Sequence, residues 1–319
     1  MTKRAFIFPG QGSQSVGMAM DLVENFSSAK VVFEEVSDAL SLDMTKLCFE
    51  GPEDQLNLTE NTQPALMTVS VATARVLEKE FDIALKDHAT YGAGHSLGEY
   101  SALTALGAFT VADCARLLKI RGQAMQQAVP VGQGAMAAIL GLDMDVVQTL
   151  ASEAAEATNT ICSSANDNSP GQVVISGSVA AVEKAIALAG DRGAKRSVLL
   201  PVSAPFHCAL MQPAADRMAE ELANTTIQSP ALPIVSNVTA RPTTSPDDIR
   251  KLLVDQVTGM VRWTESVSYM AEQEGIEEFV EIGAGKVLTG LGRRITKEAK
   301  GLALNATADI ESFATRLKN

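Results

Sequence analysis

"YGAGHSLGEYSAL", residues 91–103, holds the pattern G-x-S-x-G at residues 94–98, in which a serine sits on a sharp turn between a strand and a helix. Glycines two before and two after Ser96 leave room for a turn that a Cβ would obstruct. A short strand through Tyr91 leads into the turn. Beyond it, Leu97, Tyr100, Leu103 and Leu106 recur like one face of a helix. Strand, turn and helix in that order predict an α/β protein with Ser96 as a candidate nucleophile. The pattern is short enough to recur by chance, so its meaning depends on partners elsewhere in the chain.

The rest of the composition agrees with an α/β core. The 319 residues suffice for one large domain or two smaller ones, and 46% hydrophobic with 20% charged residues is ordinary for a globular protein. Aromatics are only 4%, so the core must be built from aliphatic side chains. A net charge of −12 repels phosphate backbones and argues against general nucleic-acid binding. Cys48, Cys114, Cys162 and Cys208 show no metal-ligand spacing and read as buried thiols of a reducing compartment. The apolar run near the start stops at Pro9, too short for a signal segment, and no stretch reaches the roughly 18 apolar residues of a membrane span. The expectation is a cytoplasmic protein with no metal.

Residues 4–8, "RAFIF", read as a strand ended by Pro9 and the loop "GQGSQSVG". Helices are expected from about residue 18, over 27–41 and over 62–80, the last capped by Asn61 or Thr62. Thr110 caps a further helix, "VADCARLLKIRGQAMQQAV". Residues 132–202 then alternate as strand, helix, strand, strand, helix, strand, the order of a ferredoxin-like module. After it, "PIVSN" and "EEFVEIGAG" read as strands returning to the main sheet. The expected organisation is a large α/β domain interrupted by a small α+β one.

A serine hydroxyl needs a base, and the chain has three histidines. His95 adjoins the serine, where a neighbour in such a turn points away from the hydroxyl. His88 precedes the strand into the turn, at its far end. His207, in "SAPFHCAL", is left as the base by elimination. No acid between Ser96 and His207 sits in a convincing strand-end loop, so the group orienting the imidazole is expected to be non-acidic, such as a backbone carbonyl. The N–H of Leu97 is one candidate oxyanion donor, and Gln11 in the loop after the first strand is another. Spacing alone reads that loop equally well as a plain glycine turn. Two nucleotide motifs fail: Ser15 stands where "GQGSQSVG" would need its third glycine, and "EIGAGKV" has Val280 and Val287 where a P-loop needs Gly and Ser or Thr.

"FPGQGSQ" at 8–14, "NTQPAL" at 61–66, "GHSLGEYSAL" at 94–103, "NSPGQVVISG" at 168–177, "SAPFHCALM" at 203–211 and "EIGAGKVL" at 281–288 together resemble malonyl-CoA:acyl carrier protein transacylases. The stretches span nearly the whole chain in the family's order. The resemblance implies an α/β-hydrolase-like large domain, residues 1–130 and 203–319, with an inserted ferredoxin-like subdomain at 131–202. It implies that Ser96, activated by His207, takes the malonyl group from malonyl-CoA and passes it to the phosphopantetheine thiol of acyl carrier protein, with no cofactor. Gln256 matches the residue whose backbone carbonyl orients the histidine.

Arg121, which sequence alone would leave on a helix surface, matches the arginine that pairs with the free carboxylate of malonate. Gln63 and Asn166 match polar positions near the site. Phe206 and Leu97 fit the family's malonyl rather than methylmalonyl pattern, a preference of about 1–3 kcal/mol per methyl. An acidic carrier needs a local basic rim on this acidic chain, for which Lys195, Arg196, Lys286, Arg293 and Arg294 are candidates; a solvated charged face is the plainer reading. A serine hydrolase or thioesterase, a loading acyltransferase of a polyketide pathway and a carrier-binding module with a dead site are the competing readings.

Overall fold

The computed structural model describes residues 2–202 and 204–318. Among the described residues ten strands form two sheets: β1 (Arg4–Phe8), β2 (Tyr91–Gly94), β3 (Gly134–Leu140), β4 (Cys162–Ser169), β5 (Gln172–Ser178), β6 (Arg196–Leu199), β7 (Ile234–Val235), β8 (Pro242–Thr243), β9 (Glu278–Ile282) and β10 (Lys300–Leu304). The larger sheet has the order β10-β9-β1-β2-β7-β8, parallel except for the last pair. Its inner strands β9, β1, β2 and β7 are buried on both faces, as a parallel sheet flanked by helices requires, while the edge strands β8 and β10 are partly exposed. Along β1, Phe6 and Phe8 enter one core with the long helices, while Ala5 and Ile7 enter another around Trp263. "RAFIF" therefore reads as an unbroken apolar run although its side chains alternate.

Register decides where the loops emerge. Phe8 pairs with Gly94 and Ile7 with Glu281, so the chain leaves β1, β2 and β9 side by side at one sheet edge. From β1 the chain builds outward through β2 and β7, then returns to the other side with β9 and β10, so β1 borders the point where strand order reverses. Open α/β sheets bind ligands at that crevice.

The second sheet, β4-β5-β3-β6, is antiparallel and carries its own core with the helices Met144–Thr158 and Val179–Asp191. One of its ties to the rest of the chain runs through the stretch that precedes and opens the Trp263–Ser268 helix. Val261 N–H donates to Ala165 O at 2.9 Å and Asp167 N–H to Val261 O at 3.0 Å, beside a register shift in β4. Thr264 Oγ1 adds a bond to Asp167 Oδ1 at 2.8 Å.

Two local expectations differ from the structure. The helix expected over 62–80 runs from Thr59 to Glu80, and neither Asn61 nor Thr62 caps it. Their side chains donate instead to the carbonyls of Gln55 and Leu56, so the helix begins earlier and Pro64 falls inside it. This helix is buried on nearly every side, which removes the amphipathic stripe by which its start is recognised. "PIVSN" contributes only two residues to the sheet, and β8 and β10 were not foreseen. Thr110 does cap the Val111–Gln127 helix, accepting from Asp113 N–H at 3.1 Å. Ser203, the first residue of the quoted "SAPFHCALM" and of the second stretch of the expected large domain, lies outside the described residues.

Candidate active site

Ser96 stands at the end of β2 as the N-cap of the Leu97–Ala105 helix, with φ 53° and ψ −112°. A non-glycine residue rarely adopts positive φ, and such strain collects at functional turns. The flanking glycines are required by close approach. A Cβ on Gly94 would overlap the carbonyl of Gly98, and one on Gly98 would overlap Phe8 O of β1. The turn is thus packed into the parallel sheet and holds the serine at its edge.

His207, also at positive φ (57°), places Nε2 at 2.8 Å from Ser96 Oγ. Its Nδ1 lies 2.9 Å from Gln256 O and 3.1 Å from Gly259 O. Carbonyls only accept, so Nδ1 carries the proton and Nε2 is the free acceptor facing the hydroxyl. Both carbonyls come from the C-terminal end of the Pro246–Thr258 helix, where unpaired C=O groups gather partial negative charge. The helix end stands where a triad would have its acid. Burial, and then the Arg121 guanidinium, push the imidazole down to about 3, so it is neutral and able to accept a proton at pH 7. Of the other histidines, His95 lines the same cavity but turns its ring to β4, and His88 lies far from it. His95 Nε2 is 2.8 Å from Asn168 Oδ1, and His88 lies with Lys3, Arg4 and Thr90 at the opposite sheet edge.

Arg121 is 1% exposed, so the helix-surface position suggested by sequence alone is not where it lies. Its hydrogen-bond partners are neutral: Nη1 donates to Gln63 Oε1 at 2.7 Å, and Nη2 to Gln256 Oε1 at 2.9 Å and Ser96 Oγ at 3.2 Å. A buried guanidinium held by amides beside a serine hydroxyl has the chemistry to receive an anion.

Gln11, Gln63, Ser96, Leu97, Arg121, Asn166, Phe206 and His207 line one cavity, closed by Met125, Met136, Leu200 and Val202. Gln256 is fully buried behind that wall and reaches the site through its carbonyl and its amide. Leu97 is the first residue of its helix, so its N–H has no intrahelical acceptor. Of the basic residues, Arg294 donates to Gln172 at 2.7 Å and Lys195 packs on Gly141, which bonds Gly171. Both thus border the turn between β4 and β5, whereas Arg293 faces Lys297 and Lys300. Among the described residues no group of three His, Cys, Asp or Glu side chains is placed to hold a metal ion.

Two residues at the site were missed in the sequence. Asn237, the second residue after β7, accepts from Ser96 N–H at 2.7 Å and donates to Gly94 O at 2.6 Å. Glu99 accepts from Asn237 N–H at 3.0 Å and from Gln256 Nε2 at 2.8 Å. A signal for Glu99 was present, since S-x-x-E over residues 96–99 is the spacing of a capping box. Here Asn237 takes the Ser96 N–H that the glutamate would cap, and Glu99 is turned inward to full burial, which pushes its carboxyl up to about 7.

An acyl transferase domain model matches residues 5–311. The chain is 50% identical over 305 residues to the malonyl CoA-acyl carrier protein transacylase of Escherichia coli K12, covering 96% of each. Its fold is similar to that of the acyl-carrier-protein-S-malonyltransferase of Bartonella henselae, with a TM-score of 0.96, 50% identity and 100% of both chains covered. It is also similar to a malonyl-transacylase solved in complex with a type II PKS acyl-carrier protein, with a TM-score of 0.94, 44% identity, and 99% of this chain and 100% of that one covered.

Proposed function

This chain belongs to the acyl transferase family, among the malonyl-CoA:acyl carrier protein transacylases, and from that premise we propose a malonyl transfer carried through Ser96. The enzyme moves malonyl from malonyl-CoA to acyl carrier protein for fatty-acid synthesis. One observation supports the assignment of residues above the others: a buried, amide-held guanidinium lies 3.2 Å from a serine oxygen that also faces a neutral imidazole at 2.8 Å. A hydrolase of neutral esters has no use for that charge; an acyl group ending in a carboxylate does.

Ser96 Oγ attacks the thioester carbonyl of malonyl-CoA while its proton passes to His207 Nε2. The N–H groups of Leu97 and Gln11 receive the oxyanion, each donor of this kind typically contributing about 2.7–4 kcal/mol. Collapse breaks the C–S bond, and the departing CoA sulfur takes the proton back from His207. The phosphopantetheine thiol then gives its proton to the same nitrogen and attacks the malonyl ester; the bond to Ser96 Oγ breaks and His207 returns the proton to that oxygen, in ping-pong order. Arg121 grips the malonyl carboxylate, and Phe206 with Leu97 limits bulk at the α-carbon.

In this reading the parallel sheet with its helices is an α/β-hydrolase-like domain of residues 1–130 and 203–319, and the β3–β6 sheet with its two helices is a ferredoxin-like insertion at 131–202. The strand order of the small sheet supports it. A cytoplasmic location is part of the same reading, supported by four free, buried cysteines. Supply of a polyketide carrier is the second reading, favoured by the likeness to the transacylase solved with such a carrier.

The test is intact mass and peptide mapping after mixing with malonyl-CoA alone. A malonyl adduct on Ser96 that is discharged by carrier protein is expected. Steady CoA release without an adduct would make water the acceptor.

A further inference from the structure

The Gln256 carboxamide joins three parts of the site. Its Nε2 faces three oxygens, Glu99 Oε2 at 2.8 Å, Ser96 O at 3.1 Å and Asn237 Oδ1 at 3.3 Å, while its Oε1 accepts from Arg121 Nη2 at 2.9 Å. Reversing the amide would set oxygen against oxygen and nitrogen against guanidinium, so only one orientation is satisfied. The shortest of the three acceptors is Glu99, on the first turn of the nucleophile's own helix. Glu99 Oε2 also accepts from Asn237 N–H, so that oxygen serves as acceptor to two donors whether or not the carboxyl is ionised.

We propose that Glu99 is a positioning residue for acyl-group selection: by fixing the Gln256 amide it aims the Arg121 guanidinium at the carboxylate of the incoming acyl group. The inference rests on the malonyl-transfer reading. The helix that carries Ser96 thereby also sets, through one amide, the angle of the arginine on the Val111–Gln127 helix. Arg121 Nη1 is tied separately to Gln63, so loss of the Gln256 tether leaves the fork held by one amide, with only the longer 3.2 Å contact to Ser96 Oγ on Nη2. Arginine pairs best with a carboxylate through two parallel bonds, and a fork gripped by a single amide loses that alignment.

The test compares initial rates of malonyl and acetyl adduct formation on Ser96, because acetyl has no carboxylate for Arg121 to receive. Glu99→Gln keeps an oxygen at the same reach without the charge. Glu99→Asp keeps the charge but withdraws the acceptor by about 1.5 Å, one carbon–carbon bond. The expected result is a malonyl-to-acetyl ratio retained within about threefold in Glu99→Gln. In Glu99→Asp the ratio falls about tenfold or more, mainly through malonyl, as for a lost hydrogen bond to a charged group. Gln256→Met, which removes the relay with Glu99 intact and leaves the backbone carbonyl in place, gives the same loss of ratio.

A ratio kept in Glu99→Asp and lost in Glu99→Gln would mean that charge, not reach, matters, and would overturn the proposal. So would a parallel fall of malonyl and acetyl rates, or an unchanged ratio in Gln256→Met. Failure of the wild-type protein to form a malonyl adduct would strike the transfer reading itself and is read before any variant.

Discussion

The two ends of the active-site cavity are built by different means. At Ser96, geometry is held mainly by backbone packing, with the Asn237 side chain clamping Ser96 N–H and Gly94 O. Ser96 is fixed by glycines pressed against Phe8 and Gly98 carbonyls, and His207 is fixed by the carbonyls of Gln256 and Gly259. At the arginine, geometry is held by side chains, with the amides of Gln63 and Gln256 gripping the guanidinium and Glu99 gripping one of those amides. On the proposed function, a site of this kind would keep its chemistry constant through the backbone and its choice of acyl group adjustable through side chains.

Removing the nucleophile tests the backbone end most severely. Ser96→Ala is expected to abolish the adduct and lower transfer of every acyl group together, by roughly a million-fold in the manner of other serine nucleophiles. Arg121→Ala tests the other end. Malonyl transfer should fall ~100–1000-fold, as when one partner of a buried charge pair is removed, while slow acetyl transfer is spared. Equal loss of both in a kinetic comparison would show that the two ends are not separable.

Acid should act on the backbone end in a recognisable way. Because burial and Arg121 push His207 down to about 3, the acylation rate of the free enzyme should not show the roughly 25-fold loss between pH 7 and 5 that an ordinary imidazole titrating near 6.5 imposes. Rapid-quench acylation at single turnover reads this directly. The same shift lowers stability in acid. The unfolded histidine binds a proton as pH falls through about 6.5 and the folded one does not, so its contribution is lost progressively toward pH 3. The smallest effect lies outside both ends. Arg294→Glu, at the rim beside Gln172, is expected to raise the Michaelis constant for carrier protein a few-fold, about 1 kcal/mol for a surface charge, and to leave that for malonyl-CoA unchanged.

This contrast also explains what could be read from the sequence. The nucleophile turn was legible because its constraints fall within five residues, where glycine spacing reports backbone contact directly. The acceptor of His207 was expected to be a carbonyl from the lack of an acid, but its position at Gln256 came only from family resemblance, since any residue supplies a carbonyl. The arginine end draws on Gln63, Glu99, Arg121 and Gln256, which share no local spacing. Asn237 was hidden in the same way, as the polar end of "PIVSN". Where a local signal did exist, in the S-x-x-E of residues 96–99, it pointed to a helix cap. Tertiary contact had reassigned both bonds of that cap.

The fastening between the sheets bears on how the site moves. Residues 256–264 supply, in one continuous stretch, the carbonyls that orient His207 and the Val261 and Thr264 groups that grip β4. Asn166, which lines the cavity, lies on that gripped strand and bridges to Val261. The wall against the acyl group and the proton acceptor therefore share one datum. On the proposed function, a shift of β4 would act on the carbonyls behind His207 through nine residues of chain, which ties the cavity wall to the imidazole.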